Sequence, residues 1–270
     1  MTSNQSTSRF SLGNSLLWVH GAITYLFLYL PIAVLVVFSF SASDFNTVWG
    51  GFTTDWYSSL KENEDKLLAL KNSLMIGLCS TIVGAVFGTT AALGHARLTS
   101  GKRRWIEVLF LLPIMVPDIV MALALKIYLD RVMKLTADDG MVKLIIAHGL
   151  LAMCYVFMVV STRLRGFDWR LMEAAADLGA SKWKAFRHVQ LPLLWPGVVG
   201  GMLLAFAISL DEYVITSFLK GPGQNTLPIS IAADIKHTPK PEINSLATLM
   251  LLSSVVLALA SALIQRKGKT

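Results

Sequence analysis

The chain has 270 residues, of which 54% are hydrophobic and only 15% charged, and its mean hydropathy is positive. So apolar a composition leaves too little polar surface to clothe a water-soluble domain, and points to a membrane protein. The net charge of +7 invites a nucleic-acid reading, but membrane proteins retain Lys and Arg in their cytoplasmic loops, which accounts for most of the excess without nucleic acid.

The first twelve residues are rich in Ser, Thr and Asn and carry one charge, Arg9. The apolar run that follows, about 16–40, is longer than a signal-peptide core and lacks a convincing small-residue cleavage site, so it is expected to be retained as a first span behind a cytoplasmic tail, 1–15. A helix needs roughly 20 apolar residues to cross the hydrocarbon layer. Five further runs qualify, at about 70–96, 105–132, 141–161, 194–218 and 245–264. The expected fold is therefore an all-α membrane protein with six transmembrane helices spread over 16–270. Between the first two spans, the loop 41–71 carries Trp49, Phe52, Trp56 and Tyr57, which suit a membrane-interface belt.

Within the spans, small residues and prolines carry the local information. Gly77, Ser80, Gly84 and Gly88 recur at three- or four-residue spacing, a stripe suited to close helix packing. Pro113 and Pro117 remove two N–H groups from one face of the third span and predict a kink beside Asp118. Gly197, Gly200 and Gly201 follow Pro196 and suit either close approach or a bend. Cys79 and Cys154 read as small buried residues, and His95, His148 and His237 are isolated, without metal-ligand spacing.

Between the fourth and fifth runs lies a polar, basic island, 162–193. It reads as two short helices joined at Gly179, with Asp168 capping the first, Ser181 capping the second and Pro192 limiting it. Leu171, Ala174, Ala175 and Leu178 fall on one face of the first helix, a narrow apolar surface suited to a groove on another protein. Two helices around a turn also describe a DNA-reading motif, but the flanking spans make that reading improbable. Fourteen of the 24 Lys and Arg residues lie in segments that alternate with loops rich in Asp and Glu, which assigns 162–193 and both termini to the cytoplasm.

Acids within spans are costly and ordinarily face protein or water. Asp118, Asp211 and Glu212 are the candidates, with Tyr213 as a possible cation–π partner. They suit attraction of a polycation; the competing readings are repair of the kinked backbone at Asp118 and ion pairs with Lys126 or Arg131 at the others. Asp211 lies about 22 Å up a helix from Pro196, and Glu212, being adjacent, diverges from it by about 100°. No Gly-x-x-x-x-Gly-Lys-Ser/Thr stretch occurs, so ATP binding is not expected on this chain.

Glu173-Ala174-Ala175, then Gly179, then Leu191-Pro192, resembles the docking loop of ABC-importer permeases. Ser-Leu-Asp-Glu-Tyr-Val (209–214), Val-Pro-Asp-Ile-Val (116–120), Thr-Arg-Leu-Arg-Gly-Phe-Asp (162–168) and Pro-Glu-Ile-Asn-Ser-Leu-Ala-Thr (241–248) are similar to segments of the spermidine/putrescine permeases, and Thr-Val-Trp-Gly-Gly-Phe (47–52) resembles putrescine-type members. The resemblance covers about 29–263. It implies a type I ABC importer fold with a transmembrane core at about 70–264 and coupling helices between the fourth and fifth spans. It further implies that Glu173, Ala174, Ala175, Asp177, Leu178 and Gly179 dock on a dimeric ATPase that binds ATP-Mg. A second homologous permease, a periplasmic polyamine-binding protein and membrane lipid would complete the surroundings, in a bacterial inner membrane. On this reading the chain is no enzyme but a putrescine permease, the alternatives being a permease for spermidine or another small solute, or an ATP-independent secondary transporter.

Overall fold

A computed structural model describes residues 12–45, 48–237 and 241–267. Those residues form helices α1 (Leu12–Phe38), α2 (Asp55–Glu62), α3 (Glu64–Ala96), α4 (Ser100–Met115), α5 (Asp118–Ile127), α6 (Gly140–Arg165), α7 (Arg170–Asp177), α8 (Lys182–Ala185), α9 (Leu191–Asp211), α10 (Val214–Leu219), α11 (Leu227–His237) and α12 (Glu242–Lys267). Five stretches are long and apolar enough to cross a membrane, and the bent pair α4–α5, counted as one broken span, makes six. His237 lies at the edge of the described residues, and its side chain is not among them.

The pair α3 and α6, running parallel so that Gly149 meets Val83, Ala152 meets Gly84 and Val156 meets Gly88, forms the centre, with α9 against both and α12 behind α9. The glycine stripe on α3 is what lets the central pair close. A Cβ at Gly84 would sit 2.5 Å from the Ala152 Cβ, and one at Gly88 would sit 2.6 Å from the Met153 carbonyl oxygen, so only hydrogen fits at either place. Around this seam Ala152, Val156, Phe157, Val160, Leu194 and Val198 make one buried cluster. Ile76, Ala122, Leu129, Leu144, Ile215 and Leu219 make a second, into which α5 and α10 pack. The glycines of α9 serve close approach rather than bending: α9 runs unbroken past Gly200, whose carbonyl accepts from Ser261 of α12 at 2.7 Å.

Three boundaries differ from those read in the sequence. The second span begins at Glu64 rather than near 70, because Asn63 caps it at Lys66 N–H (3.2 Å) and the Lys66 ammonium is satisfied by Asp234 and by Ser230 at 2.8 Å. The third is broken rather than kinked, turning through 100° between Met115 and Asp118. Val116, ahead of Pro117, is forced into extended backbone (ψ 134°). The fifth ends at Asp211, and α10 starts anew at Val214.

Pro192 does not end the second helix of the 162–193 segment. A wide, π-type turn over Phe186–Gln190 carries the chain from α8 into α9, where Pro192 occupies the first turn and its missing N–H costs nothing. In the loop after α1, the aromatic residues fold onto the chain itself: Phe52 stacks on Phe40 (5.5 Å), Trp49 meets Phe38 edge-on (6.2 Å), and Trp56 donates to the Ser41 carbonyl at 2.7 Å.

Candidate functional site: an exposed helical loop and a carboxylate junction

At one end of the bundle the chain leaves α6 and forms α7. Asp168 accepts the Arg170 N–H at 3.1 Å and pairs with the Arg170 guanidinium at 2.9 Å, which holds the Asp168 carboxyl below the usual carboxylate range. At the far end Gly179 has φ +80°; its N–H reaches the Ala176 carbonyl at 2.9 Å and the Ala180 N–H reaches Ala175 at 3.0 Å, a Schellman closure that needs glycine's left-handed backbone. Ser181 then caps α8 by accepting from Lys184 N–H at 3.4 Å.

None of the α7 side chains is buried. Leu171 is exposed, Leu178 is 89% exposed, and Glu173 and Asp177 stand in solvent without an ion-pair partner among the described residues. Arg163 braces the loop by donating to the Leu193 carbonyl from Nε and Nη2, both at 3.3 Å, which ties the end of α6 to the start of α9. The result is an apolar and acidic face presented on a rigidly closed turn.

The second part of the site lies where two spans are broken. Asp118 begins α5, with its carboxylate at the favourable N-terminal end of the helix dipole. Glu212 occupies the gap between α9 and α10 in extended backbone, and its Oε1 accepts the Ile215 N–H at 2.8 Å, capping α10. Because α5 packs on α10, Asp118 and Glu212 come within electrostatic reach of each other, and Tyr155 of α6 lies within reach of both.

Asp211 turns the other way and accepts from Ser254 of α12 at 2.9 Å. Asp118 and Glu212 thus stand on two helices packed together, α5 and the start of α10, while Asp211 is turned to α12. Tyr213 is partly exposed beside Glu212. None of the three acids pairs with Lys or Arg among the described residues; Lys126 is engaged by Asp130 at 3.5 Å, and Asp130 also holds Lys143.

Two residues went unread in the sequence. Tyr155 was one apolar-span residue among many. His148, apparently isolated, is fully buried and bridges Ser209 of α9 (2.7 Å) and Thr216 of α10 (3.1 Å), so it spans the gap that holds Glu212. Thr216 donates its own hydroxyl proton to the Glu212 carbonyl at 3.0 Å, which leaves it an acceptor toward His148. The imidazole therefore carries its proton on Nε2 and accepts from Ser209 at Nδ1. Irregular backbone at membrane depth is tolerated only where it is buried in protein or lines a water-filled cavity. Two such breaks, each with a carboxylate, lie here on packed helices.

The described residues thus form a bundle of apolar spans, two of them broken, with an exposed helical loop at one end, the architecture of a multi-pass membrane protein. Residues 80–267 match the family described as binding-protein-dependent transport system inner membrane component, and the chain belongs to that family. Its relatives include the spermidine/putrescine transport system permease protein PotC of Escherichia coli (strain K12), 38% identical over 249 residues that cover 91% of this chain and 93% of that protein. The putrescine transport system permease protein PotI of the same organism is 38% identical over 235 residues, covering 84% and 82%. Among solved structures, a bacterial ABC transporter involved in the import of the acidic polysaccharide alginate superposes with a TM-score of 0.67 at 16% identity, covering 94% of this chain and 96% of that one. The fold is that of type I ABC importer permeases, and the chain is a transport subunit rather than an enzyme.

Proposed function

We propose that this chain is the permease subunit of an ATP-driven importer of polyamines, with putrescine the leading substrate. The observation that supports the reading is the placing of Asp118 and Glu212 at two span breaks on packed helices, with no Lys or Arg paired to either among the described residues. Carboxylates without a paired cation in a low-dielectric surrounding favour a ligand that brings its own positive charge, and carboxylates and freed backbone carbonyls can replace the water around an ammonium group. The PotC and PotI relatives supply the substrate class, and the stretch 47–52 favours putrescine over spermidine.

In this reading α7 docks on one subunit of a dimeric ATPase through Glu173, Ala174, Ala175, Asp177, Leu178 and Gly179, and ATP-Mg is bound and hydrolysed there. A second, homologous permease completes the pathway, and a periplasmic polyamine-binding protein delivers substrate from outside. Both termini and the 162–193 loop face the cytoplasm. Movement of the ATPases would rock the bundle between inward- and outward-open states, the carboxylate junction being offered to each side in turn.

The test is ATP hydrolysis by the complex reconstituted in lipid with its ATPase and binding protein. Putrescine should stimulate it most, spermidine less and neutral amino acids not at all. Stimulation by amino acids alone would overturn the substrate class, and uptake without the ATPase would mark a secondary transporter.

A further inference from the structure

Between the coupling loop and the carboxylate junction stands a cluster that belongs to neither. Glu107 of α4 accepts from Arg165 Nη2 at 2.7 Å through Oε1, and His95 Nε2 (3.3 Å) and Arg103 Nε (4.0 Å) stand around the same oxygen. These groups come from three elements: His95 closes α3, Arg165 is the last residue of α6, directly ahead of the segment leading to α7, and Arg103 and Glu107 share α4. One turn further along α4, Phe110 stacks on Phe157 of α6 with centroids 4.1 Å apart, and His95 meets the same Phe157 edge-on at 5.2 Å. Residues three apart share a helix face, so α4 is fastened to α6 and α3 by two successive side chains.

Beyond Val116–Pro117 the attachment changes. Helical bonding stops with Val116 N–H to Leu112 and resumes with Met121 N–H to Pro117, and α5 then packs on α10. The two halves of this span are thus held by different parts of the protein, with Asp118 at the joint. The Arg165–Glu107 pair is too exposed to matter much for folding: Arg165 is 59% and Glu107 30% solvent-accessible, and pairs of that kind stabilise weakly. Its geometry instead fixes where α4 sits relative to the root of the coupling loop.

We infer that Glu107 is a positioning residue for transport. Its ion pair with Arg165 makes α4 follow the end of α6 when the ATPase moves α7, and the break at Val116–Pro117 converts that movement into displacement of Asp118 relative to Glu212. The inference rests on the reading that α7 docks on an ATPase.

The experiment uses the complete transporter in lipid and measures putrescine uptake per ATP hydrolysed for Glu107→Gln, Arg165→Gln, the double variant and Arg165→Lys. Each single Gln variant should keep its ATPase and hydrolyse ATP, while uptake per ATP falls about 2- to 30-fold, the range expected for residues along a coupling network. The double variant should be no worse than either single one, since the two act as a pair. Arg165→Lys should restore most of the loss. Unchanged uptake per ATP in either single Gln variant, additive losses in the double, or reduced complex yield in Glu107→Gln would each overturn the inference. If the unaltered chain fails to capture an ATPase, the docking reading fails instead, and the two failures are told apart.

Discussion

Replacing Glu212 by Gln removes one charge from the junction and little else. The Ile215 N–H now bonded to the carboxylate at 2.8 Å finds the Gln carbonyl oxygen in its place, so the cap of α10 survives. What is lost is attraction for a cation. Two unit charges 4 Å apart interact by about 4 kcal/mol at an effective dielectric of 20. Glu212 is only partly buried, so screening reduces this to about 2 kcal/mol, or roughly 30-fold in uptake. The assay is uptake of labelled putrescine into proteoliposomes, with complex yield measured on the same preparations. Yield should be unchanged and uptake down by that order. Glu212→Ala should also lower yield, because it removes the cap, at a cost of about 1 kcal/mol. Asp211→Asn serves as the control for assembly: Ser254 retains an acceptor, and no Lys or Arg among the described residues is left unpaired. Full uptake in Glu212→Gln at normal yield would refute the cation-binding argument, and collapse of its yield would show that the charge holds the fold.

Three further outcomes are expected. Gly179→Ile forces a β-branched residue to φ +80°, at a cost of about 1–2 kcal/mol; the permease should insert normally yet lose co-purification with its ATPase, and retained co-purification with normal uptake would remove the claim. Gly84→Val drives side-chain carbon into Ala152 and should open the α3–α6 seam, seen as lower thermal stability of the purified chain; an unchanged melting temperature would mean the seam is looser than it stands. In a background lacking Cys79 and Cys154, cysteines at 101 and 183 should react only from the cytoplasm and those at 63 and 224 only from outside, and labelling of 183 on intact cells would reverse the orientation.

How far the sequence speaks depends on the range of the interaction. The presence of the spans, the α3 glycine stripe and the closure at Gly179 follow from neighbours three to six residues apart, and the structure bears them out, though not the ends of the second, third and fifth spans. The break at Pro117 was legible as a disturbance but not as a turn of 100°, since two prolines state only which bonds are missing. The gap at Glu212 was marked in the sequence only by the adjacent acids Asp211 and Glu212. Neither Gly nor Pro interrupts 209–218, so nothing in it states that the backbone breaks rather than carrying the acids on a continuous helix. That break is held open by distant groups: His148 lies 61 residues from Ser209 and 68 from Thr216. Asp118 and Glu212 likewise stand on packed helices only because α5 chose α10 as its neighbour, a choice made by packing of Ala122, Leu129 and Ile215 rather than by any motif.

The first helix stands apart from this economy of contacts. Along 16–38 none of its side chains is buried, and its packing within the chain is against α12. In water such a helix would be a liability, but bilayer tails solvate it as well as protein does, so its insertion free energy is gained before any tertiary contact forms. Insertion of this helix and closure of the glycine-seamed bundle are thus separable, since few contacts join the two. Changes to the outward face of α1 should therefore be judged by what they do to insertion, not by what they do to the fold.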